Sequence, residues 1–263
     1  MAKQTHSATR RAFLLEAAVA LPVMAAAEQG LAAAKEAKPK PAEQRPLKVV
    51  CVGAHPDDPE SGCGGTLARY AAAGHKVTVI YLTRGEAGIQ GKSHKEAAAI
   101  RTAEAEKACK ILGARPLFAG QIDGATEVNR KRAGSLALLL KDEKPDLVFT
   151  HWPIDTHPDH QAASLLTFRA YLESGRRFPL YFFEVNSGSQ TLGFVPTAYV
   201  DVTATRAKKK AALLAHESQD GASIYRNHHE VIEIFRGREL GVAAAEAFAQ
   251  LARDSKGGRL PGL

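Results

Sequence analysis

Short apolar runs rich in β-branched residues alternate with longer helix-type segments along most of this chain. Residues 47–53 form one such run, which ends in glycine, and residues 76–83 and 146–150 repeat the pattern. Runs of this kind, separated by segments long enough for a helix, are typical of buried parallel strands joined by crossover helices. The sequence therefore predicts an α/β fold: a single-domain, Rossmann-like, mostly parallel sheet with helices on both faces.

The same reasoning places the remaining elements. Further strands are predicted at 115–118, 180–184 and 198–202. Helices are predicted over 64–73, 95–112, 127–141, 161–174, 204–216 and 242–252. Gly74 and Gly113 follow two of these helices directly, as expected for residues that end a helix in the left-handed conformation. No internal repeat and no second domain boundary is visible.

Residues 1–27 have the order of an export leader: a basic start, an apolar stretch and small residues at the end. The basic start carries the motif Thr9-Arg10-Arg11-Ala12-Phe13-Leu14, whose paired arginines resemble a twin-arginine signal. We therefore expect the twin-arginine export machinery as a partner, cleavage near Ala27 or after Ala34, and a periplasmic or extracellular location. A frayed amphipathic helix is the alternative interpretation.

The remainder of the chain divides into three predicted parts. Residues 28–46 are rich in Ala, Lys, Glu and Pro, a composition typical of a disordered linker. Residues 47–255 are predicted to form the folded domain, and residues 256–263 a tail.

Composition argues against several classes of protein. Part of the net charge of +7 lies in the leader, and the other basic residues are scattered apart from the run at 208–210, so we expect no nucleic-acid partner. No apolar run reaches the about 18–20 residues of a membrane span. Three cysteines are too few for a disulfide framework. The oligomeric state is not determined by the sequence.

Two loops rich in His, Asp and Pro follow the first and fourth predicted strands. The first reads Ala-His-Pro-Asp-Asp-Pro-Glu at 54–60, and the second His-Trp-Pro-Ile-Asp-Thr-His-Pro-Asp-His at 151–160. Because ligands of such sheets bind beyond the carboxyl ends of the strands, both loops are expected at one site. Proline and aspartate are also ordinary turn residues, which explains one such loop more easily than two. The pair of loops therefore predicts a metal site.

A hydrolytic zinc site needs three protein ligands and an open position for water. Three residues of the two loops satisfy that count: His55, Asp58 and His160. Asp57 then remains beside the metal as a candidate base. His157 remains on the other side, with Asp159 available to orient it.

These loops also resemble a known family. Residues 54–60 and His157-Pro158-Asp159-His160 are similar to motifs of the PIG-L/LmbE-like deacetylases, which are zinc-dependent and act on N-acetylglucosamine-type substrates. Weaker likenesses lie at 82–88, at Arg101-x-x-Glu104 with Leu112-Gly113, at 215–219 and at 245–248. The resemblance implies one zinc ion bound by the three ligands above, Asp57 as general base, and His157, oriented by Asp159, as the group that stabilises the oxyanion.

A small-molecule or glycan substrate is expected over the same sheet edge. Arg84 and Glu86, on the loop after the second strand, and His216, near the carboxyl end, are candidates to bind it. Alternatively, Arg84 forms a surface ion pair with Glu86, and His216 caps a helix. Trp152 is a candidate sugar platform, with loop packing as the alternative, and Cys63 is close enough to the site for a metal or redox role to stay open.

Three other functions compete with the sugar deacetylase. A nucleotide-binding Rossmann module would need glycines at the first strand–helix turn, where this chain has the His/Asp loop. A non-catalytic carbohydrate-binding relative would be expected to have lost a ligand or the base, and all are present. An exported zinc hydrolase of another N-acylated amide, such as a peptide or an antibiotic, remains open, and so does another divalent metal.

Overall fold

The computed structural model describes residues 45–251 and 260–263, which belong to one compact unit. The predicted leader, most of the linker and most of residues 252–263 lie outside the described residues, so the predictions for them stay predictions. Within the described residues, no helix combines the length and the apolar character that crossing a membrane requires.

The described residues contain seven strands, and the apolar runs of the sequence account for six of them. The strands are β1 (Lys48–Gly53), β2 (Lys76–Tyr81), β3 (Ala114–Phe118), β4 (Leu147–His151), β5 (Leu180–Phe183), β6 (Ala198–Asp201) and β7 (Ala245–Gln250). They form one sheet in the order β3-β2-β1-β4-β5-β7-β6. Strands β1 to β5 pair in parallel, whereas β7 is antiparallel to both β5 and β6. The predicted mostly parallel α/β sheet is confirmed.

Helices cover both faces of this sheet. They are α1 (Asp58–Ala72), α2 (His94–Leu112), α3 (Arg130–Glu143), α4 (Pro158–Glu173), α5 (Arg206–Leu214), α6 (Gly221–Ile224) and α7 (Glu230–Leu240). Alternate residues of β1 point to opposite faces, as strand geometry requires. Val49 and Cys51 join the apolar core under α1, α2 and α5, whereas Val50 and Val52 join the core under α3 and α4.

The prediction of a helix over 242–252 is wrong, because residues 245–250 form strand β7. The segment is rich in alanine, which favours a helix. It lies between β5 and β6, however, and its backbone N–H and C=O groups pair with both strands. Its side chains reach both cores, with Phe248 in one and Ala249 in the other. Helix α7 lies at residues for which the sequence predicted no element.

Helix α1 begins at Asp58, six residues before its predicted start, because Pro59 suits the first turn of a helix. The helix is kinked at Cys63, whose φ and ψ are −146° and 18°. Beyond the kink, Glu246 of β7 accepts hydrogen bonds from the backbone N–H groups of Gly65 and Thr66 at 2.9 and 2.7 Å. The kinked start fixes Asp58 against the carboxyl end of β1.

Candidate active site

Strands β1 and β4 are neighbours in the sheet, with Val52 beside Thr150, so the loops after them meet at one edge. The Asp58 carboxylate lies between two histidines from these loops. Its Oδ2 is 3.1 Å from His55 Nδ1, and its Oδ1 is 3.2 Å from His160 Nε2. All three side chains are buried. The structure therefore brings the three predicted metal ligands together.

Three overlapping triplets in this region could hold a metal ion, each with its ligand atoms within 4.8 Å of one another. They are His55 with His157 and His160, Asp58 with His151 and His160, and His55 with Asp123 and Asp159. Each of the predicted ligands His55, Asp58 and His160 belongs to at least one of these triplets. This donor set of two imidazoles and one carboxylate suits zinc.

Each of the two ligand histidines has a carboxylate behind it. The outer nitrogen of His55, Nε2, is 3.1 Å from Asp159 Oδ2 and 3.2 Å from Asp123 Oδ1. The outer nitrogen of His160, Nδ1, is 3.1 Å from Asp155 Oδ1. Carboxylates in this position fix the orientation and tautomer of metal-binding histidines. The residues present therefore fit a bound metal ion.

These charges shift the pKa values of the ligands. Burial acts to lower the pKa of His55, but the three carboxylates around it raise that pKa well above its usual value. Burial likewise acts to raise the pKa of Asp58, and the histidines around it hold that pKa well below its usual range. The carboxylate is thus in the ionised form that metal binding requires.

His151, the last residue of β4, completes the buried cluster. Its ring stacks on that of His160 with centroids 4.3 Å apart, and its Nε2 accepts a hydrogen bond from Ala54 N at 3.1 Å. Burial and the neighbouring His160 lower its pKa to about 4, so the ring is neutral. The sequence placed His151 in the second loop but gave it no role.

Asp57 lies beside the metal-binding cluster in a strained conformation. Its φ is 107°, in the left-handed region that a non-glycine residue rarely adopts, and its N–H donates to Glu60 Oε2 at 3.2 Å. Burial raises the pKa of the Asp57 carboxyl to about 6, although the positive charge of Arg101 opposes that rise. A carboxyl with a pKa near the working pH is suited to general base and acid catalysis.

Arg101 of helix α2 holds this loop in place. Its Nη2 donates to the Pro56 carbonyl oxygen at 2.5 Å and to Asp57 Oδ2 at 3.2 Å. Gly85 and Gly88 make room for the guanidinium, since a Cβ on either would lie 2.3 Å from Nη1. The sequence indicated Arg101 only as part of a helix motif. The two glycines after β2 were the signal that a bulky group packs there.

His157 caps helix α4, and its Nδ1 accepts a hydrogen bond from the backbone N–H of Asp159 at 3.2 Å. The carboxylate of Asp159 lies elsewhere, on His55, on Thr126 Oγ1 at 2.5 Å and on Gly124 N at 2.8 Å. The expected contact between the Asp159 carboxylate and the His157 ring is therefore corrected, because the segment after β3 draws that carboxylate away. Burial and the charges of His55 and His160 lower the pKa of His157, so its ring is neutral.

The loop after β2 does not supply the expected substrate ligands. Arg84 donates from Nη1 to Thr102 Oγ1 at 2.8 Å and lies over the Phe118 ring at 4.1 Å. Glu86 accepts from the backbone N–H groups of Arg84 and Asp123, at 3.1 and 3.2 Å. Neither side chain lines the cavity above His55, Asp58 and His160. Glu86 instead holds the segment that carries Asp123, and Arg84 ties the loop to helix α2, which carries Arg101.

His216 is fully buried and also lies outside the cavity lining. Its Nε2 is 3.3 Å from Glu60 Oε1, which in turn accepts a hydrogen bond from the Tyr81 hydroxyl at 2.5 Å. The expectation that His216 reaches the substrate is corrected. It lies behind Glu60, the residue that binds the Asp57 backbone.

Packing accounts for the positions of Trp152 and Cys63. Trp152 donates from its indole N–H to Leu192 O at 3.0 Å and meets Phe182 and Phe194 edge to face, which is loop packing. Cys63 is buried with its Sγ 3.4 Å from that of Cys51, and it does not line the cavity.

An open cavity of about 490 Å³ lies above the candidate metal ligands His55, Asp58 and His160. Its walls include His55, Asp57, Asp58, Arg101, His157 and His160. The carboxyl-terminal part of the chain adds another wall, which includes Asn186, Gln190 and His229. One solvent-accessible space is thus faced by three kinds of group: the Asp57 carboxyl with its pKa of about 6, the candidate metal ligands, and the neutral ring of His157.

The chain is similar to several known proteins. A family model described as GlcNAc-PI de-N-acetylase (PIG-L) matches residues 50–171, a span that contains both loops. The diacetylchitobiose deacetylase of Thermococcus kodakarensis is 30% identical over 217 residues, which cover 76% of this chain and 81% of that protein.

Two solved structures share the fold. A conserved protein from Thermus thermophilus is 32% identical with a TM-score of 0.69, and the match covers 82% of this chain and 99% of that one. The N,N'-diacetylchitobiose deacetylase of Pyrococcus horikoshii, solved with its inhibitor, is 26% identical with a TM-score of 0.69, over 78% of this chain and 84% of that one.

Proposed function

Because this chain belongs to the PIG-L family of GlcNAc-PI de-N-acetylases, we propose that it is a metal-dependent deacetylase of N-acetylglucosamine-type sugars or glycoconjugates. The observation that carries the proposal is the buried Asp58 carboxylate between two histidines, each with a further carboxylate behind it. The products are acetate and a free amino sugar.

His55, Asp58 and His160 would hold the metal, and zinc is the ion that we propose. When bound, such an ion polarises the acetamide carbonyl and lowers the pKa of a bound water to about 7. Asp155, Asp123 and Asp159 keep the two histidines in the orientation that binding requires.

Asp57 is the proposed general base and acid. With a pKa of about 6, its carboxylate takes a proton from the attacking water and then delivers it to the departing amine. Arg101 holds this carboxylate from one side, while Glu60 fixes the backbone N–H from the other. The base therefore needs no reorganisation when the substrate arrives.

His157 is proposed to stabilise the negative charge on the carbonyl oxygen. Because its Nδ1 accepts a hydrogen bond from the Asp159 backbone, the neutral ring carries its hydrogen on Nε2. A preorganised N–H group aimed at a developing oxyanion typically contributes a factor of about 10²–10³ to the rate.

Export remains a proposal from the sequence of residues 1–27. Replacement of both Arg10 and Arg11 by lysine should retain the protein in the cytoplasm of a bacterial host with twin-arginine export. Export of this double variant at the unchanged level would contradict a twin-arginine leader.

The central experiment measures acetate release from N-acetylglucosamine, N,N'-diacetylchitobiose and N-acetylated cell-wall fragments, with and without a chelator. Chelator-sensitive release from any of them supports the proposal. Release only from an N-acylated peptide or antibiotic would instead identify a deacylase of another amide. No release from any of these amides would overturn the proposed activity.

A further inference from the structure

A short π-turn at Tyr225–His229 adds a histidine to the cavity that the proposed mechanism does not use. The turn joins α6 to α7 and packs against α1, the helix that begins at the metal ligand Asp58. Turns of this type are rare and recur at functional sites. Here the turn brings His228 and His229 to the cavity wall.

His229 is only 4% exposed, and its imidazole has no hydrogen bond or ion pair with another residue in the described ranges 45–251 and 260–263. Its ring nitrogens are not among the unpartnered side-chain atoms that are sealed from solvent, so they reach the cavity. Its ring borders the main cavity and also a small adjoining one of about 10 Å³, which holds at most about one water molecule. The larger cavity is therefore where a ligand would supply the missing partner.

The His229 ring is held neutral. Burial is the main cause, and the nearby ammonium of Lys209 adds to it, so that the pKa falls to about 3 against the opposing charge of Asp58. A neutral imidazole has one donor and one acceptor nitrogen. A hydroxyl group, which also donates and accepts, is a matching ligand.

Two neighbours on this wall are also uncharged. Asn186 and Gln190 line the cavity, and neither side-chain amide has a hydrogen bond with another residue of the described chain. The wall thus presents three neutral polar groups without partners.

Positive charge is scarce in the cavity. Among its described lining residues, Arg101 is the only lysine or arginine, and its guanidinium already binds Pro56 and Asp57. Away from the candidate metal ligands, a phosphate or carboxylate on a substrate ring would find no free lysine or arginine among these lining residues. The cavity therefore favours an uncharged ring.

We propose that His229, together with Asn186 and Gln190, binds the hydroxyl groups of an uncharged sugar ring whose acetamido group lies at Asp57 and Asp58. This inference rests on the proposed deacetylase function and assigns the residues that select its substrate. His229 acts by binding the ring and does not take part in proton transfer.

The test compares two amides in the metal-loaded full-length protein. N,N'-Diacetylchitobiose presents ring hydroxyls, whereas N-propylacetamide has the same amide and no hydroxyl group. His229→Phe keeps a planar ring and removes both nitrogens. It should raise KM for the disaccharide about fivefold to tenfold, as expected for the loss of a neutral hydrogen bond, with little change in kcat. For N-propylacetamide, kcat/KM should stay unchanged.

Four comparisons make the result specific. His229→Gln, which keeps a donor and an acceptor, should restore most of the affinity, and His94→Phe, at an exposed site outside the cavity, should match the unaltered protein. Gln190→Ala should show the same split between the two amides and serves if His229→Phe fails to fold. N-acetylglucosamine should be a better substrate than its 6-phosphate by about tenfold or more.

An equal loss for both amides, or no change for the disaccharide, would overturn the role of His229. Calorimetric titration of the disaccharide separates this inference from the proposed function. Acetate release that is insensitive to His229 and Gln190 overturns the inference alone. Binding that depends on His229 without any acetate release overturns the deacetylase alone, and absence of both overturns the two together.

Discussion

The guanidinium of Arg101 lies 3.2 Å from the carboxylate of Asp57 and ties helix α2 to the loop after β1. The two residues are 44 positions apart in the chain. The contact holds Asp57 at a left-handed φ of 107°, beside the proposed metal ligand Asp58. The position of the proposed base therefore depends on a helix that contributes no metal ligand.

Replacement of Asp57 by asparagine should leave metal binding intact and lower kcat for acetate release by about 10²–10⁴-fold, because proton transfer is lost. Metal content and acetate release, measured on the same preparation, check this. Full turnover by a metal-loaded Asp57→Asn protein would contradict the role of Asp57.

Arg101→Lys should lower kcat by up to about 10²-fold, since lysine keeps the charge but loses the two-point hydrogen bond that positions the loop. The matched control is Arg84→Lys, also at the interface with α2, whose side chain binds Thr102 outside the cavity. Steady-state kinetics should show a clear difference between the two variants. Equal effects would mean that Arg101 has no special role in positioning Asp57.

A chelator should abolish acetate release, and zinc should restore it. Asp155→Asn should weaken metal affinity by about 10–100-fold without removing a ligand, because Asp155 orients His160 through Nδ1. Competition with a chromogenic chelator measures the change. Asp142→Asn, at an exposed site on α3, is the control and should bind metal like the unaltered protein.

Glu246→Gln should lower the free energy of unfolding by about 3–5 kcal/mol, because it leaves the buried Lys209 without its closest ion partner. Glu246 also accepts the two hydrogen bonds beyond the kink of α1. Glu217→Gln breaks an exposed pair with Lys107 and should cost at most about 1 kcal/mol. Denaturant titration distinguishes the two, and a similar small loss for both would count against the buried pair.

Acidification should destabilise the fold partly through His229. Its pKa is about 3 in the folded protein, against an ordinary value of 6.5, so between these pH values the unfolded chain binds a proton that the folded chain does not. The free energy of unfolding should fall as pH drops through this window, by at most about 1.4 kcal/mol per pH unit from this group. In His229→Phe that part of the slope should vanish, whereas in His94→Phe it should persist.

The sequence allowed most of the sheet to be predicted, because buried parallel strands leave a local record of continuous β-branched runs. Strand β7 was the exception. Its alanine-rich segment carries no strand pattern of its own, and pairing with both β5 and β6 decides its conformation. Helix α1 was predicted too short because its first turn has the composition of a loop.

Local sequence by itself determined the two His/Asp loops, the carboxyl-end position of each and the family to which they point. The residues within each loop are close together in the chain, so local composition and spacing are enough to reveal the loop. Only the tertiary structure decided which groups surround them: Asp123 behind His55, Arg101 on Asp57, and His229 at the cavity wall. These residues come from separate parts of the chain. Asp123 and His229 carry no local motif, and the motif around Arg101 does not indicate its contact with Asp57. Their roles follow from burial and charge, which exist only once the sheet has brought the segments together.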